Sequence, residues 1–155
     1  RLGAFKGRAT DVDVVNDLMV HDLDILLHLF DEYPNSISSK GFKISTENYD
    51  FVKTRLGFKS GRVATITSSR NHTEEVRSFE LTNGEGSIVI YLLNNEIRHA
   101  KKAGIVKVVK YPKRDHLLLE QERFYSAILL GKEVPVTLRD GVLAVKLVGE
   151  VLESL

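Results

Sequence analysis

The chain contains no cysteine. Disulfide frameworks, thiolate zinc sites, iron–sulfur clusters and cysteine nucleophiles are therefore excluded together. A cytoplasmic setting is compatible with that absence. No apolar run approaches the roughly 18 residues that a membrane-spanning helix needs, so no membrane partner is expected. Nor is there an excess of charge. Lys and Arg total 22 against 21 Asp and Glu, a net +1. Nucleic-acid binders concentrate positive charge, because counterion release drives their affinity. The basic clusters at Lys101-Lys102 and from Lys107 to Arg114 are short and interleaved with apolar residues, the pattern of solvated strand edges. No nucleic-acid partner is expected either. No basic segment followed by an apolar one opens the chain, so no signal peptide is visible. Arg1, rather than methionine, stands first, and the sequence is expected to continue upstream.

What is present suits an ordinary globular domain. The 155 residues are 43% apolar and 28% charged, enough to build a real core. Residues 2–8 read as a short strand. Thr10 with Asp13 makes a capping pattern, and residues 14–30 read as a first helix that ends at Tyr33-Pro34-Asn35. The middle alternates β-branched and aromatic residues over 36–44, 49–58, 62–69, 75–82 and 87–92, with weaker strands at 96–99 and 105–111. Lys59-Ser60-Gly61 and Asn83-Gly84-Glu85-Gly86 are turn signals. Residues 115–130 and 140–154 have helical apolar spacing. Most connections between strands are too short for crossover helices. The expectation is an α+β fold, a largely antiparallel or mixed open sheet with helices packed on one face. No repeat, low-complexity stretch or linker divides residues 1–155, so a single domain is expected.

The first helix holds the most informative pattern. It is apolar almost all round, as a buried helix is, yet Asp17, His21, Asp24 and His28 recur at steps of four, three and four. At about 100° per residue they fall within a wedge of roughly 60°. Three chemistries fit such a stripe. The first is two structural i,i+4 pairs. The second is a metal site, although a third ligand would have to come from His72, His99 or His116, which stand in unrelated contexts. The third is acid–base catalysis, for which histidine is suited near neutral pH and a carboxylate one turn away can orient it.

The string Asp-Val-Asp-Val-Val-Asn-Asp-Leu-Met-Val-His-Asp-Leu-Asp-Ile-Leu-Leu, residues 11–27, resembles the glucose-fructose oxidoreductase/inositol dehydrogenase/MocA (Gfo/Idh/MocA) family. The C-terminal domain of that family has a helix bearing Asp-x-x-x-His, here Asp17 and His21. The ending is similar as well: Glu120-x-x-x-Phe124, then Gly131-Lys-Glu-Val-Pro135-Val, then Asp140-Gly141 before a last helix. Within the family the opening residues 1–8, residues 11–22 and Ser68-Ser69-Arg70 are most similar to UDP-N-acetylglucosamine 3-dehydrogenase-like members.

The resemblance implies an NAD- or NADP-dependent oxidoreductase acting on a sugar hydroxyl, with the 3-hydroxyl of a UDP-N-acetyl amino sugar as the finer expectation. It implies that the dinucleotide is bound by an N-terminal Rossmann domain that carries the glycine-rich loop. No G-x-G-x-x-G follows a strand in this chain, so that domain is expected to be absent from it and the chain inactive alone. By the family's mechanism His21 is the general base, and Asp17 orients it or binds the sugar. Arg8, Arg70 and Asn16 are candidate substrate contacts, against which stands the reading of the two arginines as solvated strand residues. A homo-oligomer formed through a sheet face is expected, as is common in the family. The competing reading is a non-catalytic binding or oligomerisation module that has kept the fold. A metal-dependent hydrolase is a more distant third.

Overall fold

The computed structural model describes residues 1–101, 104 and 106–155. Lys102 of the expected basic pair, and Ile105, the expected first residue of the last strand, lie outside the described residues. The chain forms two compact units, residues 1–75 with 136–155, and residues 76–135. Each is taken by itself.

In the first unit a π-helical turn at Val15–Met19 runs directly into helix α1, Val20–Phe30. The expected capping pattern is reversed. Asp13, not Thr10, caps the start: its Oδ1 accepts from the Val15 and Asn16 amides, both at 2.8 Å. Asp31 closes α1 in a left-handed conformation (φ 48°), donating its N–H to the Leu27 carbonyl. Strands β1 (Ser36–Phe42), β2 (Phe51–Gly57) and β3 (Val63–Ser69) form an antiparallel sheet in the order β1-β2-β3. Period-two alternation buries Val52, Thr54 and Leu56 while Lys53 and Arg55 point out. The inner face meets Val14, Val15, Met19, Leu23 and Leu26 from the first helical segment.

The last helix of the chain, Leu138–Glu153, adds Leu147, Val148 and Val151 to this core. It begins two residues before the expected Asp140, because Thr137 and Asp140 form a capping box. Each of these core side chains contributes on the order of 1.5–3 kcal/mol through burial. The expected opening strand is not formed. Leu2 makes an isolated parallel bridge to Ser69, and the segment then leaves the sheet at Gly7 (φ 66°) and Ala9 (φ 51°).

In the second unit β4 (Ser78–Asn83), β5 (Gly86–Tyr91), β6 (Glu96–Lys101) and β7 (Val106–Lys110) form an antiparallel sheet in sequence order. The Asn83 side chain accepts from the amides of Glu85 and Gly86 at the β4–β5 turn. A Cβ at Gly86 would lie 2.2 Å from the Ala100 carbonyl oxygen, so only glycine fits there. Helix α2, His116–Leu130, is capped by Asp115 and stopped by Gly131 (φ 62°), where the sequence pattern put both ends. It buries none of its residues. With α2 named, the helix Leu138–Glu153 is α3. The fold is α+β as expected, with the strands divided between two antiparallel sheets.

A buried ion pair ties the first unit together where it enters the helix. Asp50 is 0% exposed and Arg70 6% exposed. Arg70 Nε lies 3.3 Å from Asp50 Oδ1. Asp50 Oδ2 accepts from the amides of Ile44 (2.7 Å), Ser45 (2.7 Å) and Thr46 (2.9 Å), and Oδ1 from the Thr46 hydroxyl at 2.8 Å. Burial works to raise the Asp50 carboxyl, but these donors outweigh it and hold the group at about 2, below its ordinary 3.8. The stability it contributes is therefore present above pH 3.8 and is lost as pH falls through about 2. Asp50→Asn should lower the unfolding free energy at neutral pH by about 3 kcal/mol, since it strands a buried arginine. In denaturant titrations the gap between wild type and Asp50→Asn should narrow from about pH 4 down to about pH 2. A gap of constant size over that range would show that Asp50 is not the group responsible.

Candidate functional site

Helical spacing brings the expected residues to one region of the first unit, although not in one register. Asp24, half-buried, and the exposed His21 and His28 follow the α-helical stripe. Asp17 lies instead in the π turn, where the Val20 N–H reaches back to the Val15 carbonyl. The extra residue in that turn rotates Asp17 out of the uniform register. Among the described residues no hydrogen bond or ion pair joins the side chains of Asp17 and His21, or those of Asp24 and His28. The structural-pair account of the stripe therefore finds no bond in this geometry.

The acid next to His21 behaves differently. Asp22 is buried and receives the Arg1 Nε at 2.8 Å, so its charge is spent inside the unit. His21, one residue earlier and about 100° round the helix, is exposed, while its neighbours Leu18 and Ile25 are half-buried. His28 faces α3, where its charge helps lower the Asp140 carboxyl after the larger effect of the Thr137 hydrogen bonds. Among the described residues no three His, Asp or Glu side chains are grouped as a metal would need.

The three candidate substrate contacts fall in different environments. Asn16 is exposed at the helix start, with its amide donating to Asp13 Oδ2 at 2.9 Å. Arg8 is exposed in the irregular segment between Gly7 and Ala9, both at positive φ. For Ala9 this conformation costs on the order of 1–2 kcal/mol and needs support from its surroundings. Arg70 provides that support rather than an open guanidinium. It is buried, its Nη1 donates to the Ala9 carbonyl, and its Nη2 donates to the Val12 carbonyl at 2.5 Å. The three do not form a single anion-binding cluster: Arg70 stands behind the loop that displays Arg8.

The sequence pattern did not single out Asp50 or Asn48. Asn48 Nδ2 donates to the Thr10 carbonyl at 3.0 Å, and the Tyr49 carbonyl accepts from the Val14 amide at 2.9 Å. A lone acid between Tyr49 and Phe51, at the mouth of a buried strand, was the available signal.

A dinucleotide needs a tight glycine loop between a parallel strand and a helix. Both sheets here are antiparallel, and the Gly84–Gly86 turn links two hairpin strands. The described residues do not fit a dinucleotide cradle. They offer an exposed imidazole with a carboxylate one turn before it, on a helix whose entry is clamped from behind. Such a surface can take a proton from a hydroxyl laid against it.

Comparison with known proteins identifies the family. The family model described as GFO/IDH/MocA C-terminal domain matches residues 5–89. UDP-N-acetylglucosamine 3-dehydrogenase of Acidithiobacillus ferrooxidans is 32% identical over 143 residues, covering 86% of this chain and 46% of that protein. A solved structure of that enzyme superposes with a TM-score of 0.93 at 28% identity, over 100% of this chain and 51% of its own. The aldose-aldose oxidoreductase of Caulobacter crescentus, complexed with glycerol, shares the fold at a TM-score of 0.82 and 16% identity, over 99% of this chain and 51% of its own. The chain thus spans about half the length of the curated relative it matches. With the matched segment running from the opening loop through the Asp17–His21 helix to β5, the chain belongs to the GFO/IDH/MocA C-terminal domain family.

Proposed function

We propose that this chain is the substrate-side catalytic domain of an NAD(P)-dependent oxidoreductase that oxidises a sugar hydroxyl. The finer substrate is the 3-hydroxyl of a UDP-N-acetyl amino sugar. The observation that carries the reading is His21, an exposed imidazole on the first helix of a domain similar over its whole length to a UDP-N-acetylglucosamine 3-dehydrogenase. A separate dinucleotide-binding domain, outside these residues, holds the NAD or NADP. When bound, the nicotinamide supplies the hydride acceptor.

This chain's part is the proton. His21 takes it from the sugar hydroxyl, and Asp17 steadies the resulting imidazolium or holds a neighbouring hydroxyl. Asn16, beside Asp17 at the exposed helix start, can donate to the sugar if its amide leaves Asp13. Arg8, exposed in the opening loop, fits an anionic group such as a diphosphate. Arg70, with both terminal nitrogens already donating to the chain, is assigned no substrate contact. In the protein that joins this chain to its dinucleotide domain, His21→Ala should lower turnover by roughly 10²–10⁴-fold, and Asp17→Asn by less. Turnover in His21→Ala close to wild type, measured with the preferred sugar nucleotide, would remove His21 from the mechanism.

The 155-residue chain alone should bind NAD(H) no better than millimolar and turn nothing over, because the described residues form no phosphate-cradling loop. Micromolar affinity by calorimetry would place a cofactor site within these residues.

A homo-oligomer formed through a sheet face belongs to the same proposal, and one face is better suited to it. In the first unit the outer sheet face carries Lys40, Lys53 and Arg55, as a solvated face does. In the second, register puts Phe79, Leu81, Ile88, Ile90, Ile97 and Val109 on one face, with His99 and Lys107 beside Ile88, and none of them is fully buried. An apolar face of that kind is the pattern of an interface between copies. Light scattering at micromolar concentration should give a dimer or tetramer, and Ile88→Lys with Ile90→Lys should reduce it to monomer. Wild-type protein that is monomeric throughout would count against this assembly.

A further inference from the structure

The buried pair does more than its burial requires. Arg70 directs its two terminal nitrogens to the carbonyls of Ala9 and Val12, which flank Thr10 and Asp11. Asn48 holds the Thr10 carbonyl from the exposed side. The Asp50 carboxylate fixes the guanidinium from behind and at the same time gathers the amides of Ile44, Ser45 and Thr46. One residue after Val12, Asp13 starts the helical segment that carries Asn16, Asp17 and His21. Because a guanidinium is a rigid planar fork, shifting it shifts both carbonyls together.

We infer that Arg70 and Asp50 are positioning residues for the Asp17–His21 site: they clamp residues 9–12 and thereby set the entry of the helix that presents the base. The inference rests on the proposed function. It assigns these residues no contact with sugar or cofactor.

Arg70→Lys and Asn48→Ala test it in the protein that contains both domains. Lysine keeps a positive charge beside Asp50 but cannot hold two carbonyls in one plane. Asn48→Ala loosens the same loop without touching the buried pair. Both variants should speed amide hydrogen exchange at residues 10–17. Both should lower kcat for the sugar, Arg70→Lys by about tenfold or more, and leave the KM for NAD or NADP unchanged. A purely structural pair would move thermal unfolding without that split between kcat and the cofactor KM.

Wild-type kcat in both variants, or unchanged exchange at residues 10–17 in both, would overturn the clamp. If Arg70→Lys fails to fold, Asn48→Ala decides alone by the same two readouts. Wild-type protein inert toward every sugar nucleotide tried would overturn the functional reading instead. The exchange rates would then still sustain or overturn the clamp.

Discussion

The first unit depends on a charge pair that is almost entirely closed to water. Asp50 and Arg70 are both buried, and taking two ions out of water costs several kcal/mol apiece unless every polar atom finds a partner. Here nearly all do: the carboxylate accepts three amides and a hydroxyl, and the guanidinium donates to two carbonyls. Such a pair adds little to stability when compared with packed apolar residues. Its consequence is geometric. Four chain segments that sequence alone keeps apart (the opening loop, the turn after β1, the start of β2 and the end of β3) must be in register for the charges to be satisfied. The left-handed backbone at Ala9 persists because this arrangement over-determines it.

The parts of the fold that were legible in the sequence are those set by local spacing. Among the described residues, period-two alternation placed the strands of both sheets to within a few residues, and helical spacing placed α1, α2 and α3, with Gly131 and Asp115 where the pattern put them. The parts set by distant partners were not legible. The opening segment looked like a strand by composition, yet only Leu2 pairs, and Gly7 and Ala9 turn the backbone away. Nothing in the composition near Val76 announces that the strands are shared between two sheets, because pairing across strands is a non-local choice. Helix α2 has the apolar spacing of a core helix but buries nothing, with Leu129 75% exposed.

The site was legible to a similar depth. Four polar residues recurring on a largely apolar helix are visible in one dimension, and so is the Asp-x-x-x-His spacing of Asp17 and His21. The π turn is not visible, because an i→i+5 bond depends on where the helix start is pinned, here by the Val14 amide to the Tyr49 carbonyl. The role of Arg70 was out of reach for the same reason. After Ser68-Ser69, at the end of a Thr-rich strand, an arginine reads as solvated or ligand-binding. Its partners lie about 60 residues before it and 20 before it in the chain, as the Ala9 and Asp50 contacts show, and no local pattern reports them.

His21 has a geometry that constrains any catalytic account. An exposed imidazole exchanges protons with water as readily as with a sugar, and nothing in its own unit shields it. General-base catalysis gains from a site that is closed to water and a hydroxyl held within hydrogen-bond reach. The chain supplies a fixed support: a helix whose start is capped by Asp13, entered from a loop that Arg70 holds, with His21, the proposed base, two turns further on. The rest of the requirement, a surface that covers His21 and brings a hydride acceptor to the sugar carbon, fits a second domain laid over the exposed face of this helix. On that account the unbonded side chain of Asp17 has a reason. A carboxylate already committed to its own histidine would be satisfied without substrate, whereas under the proposed function one left open would gain its partner from the sugar.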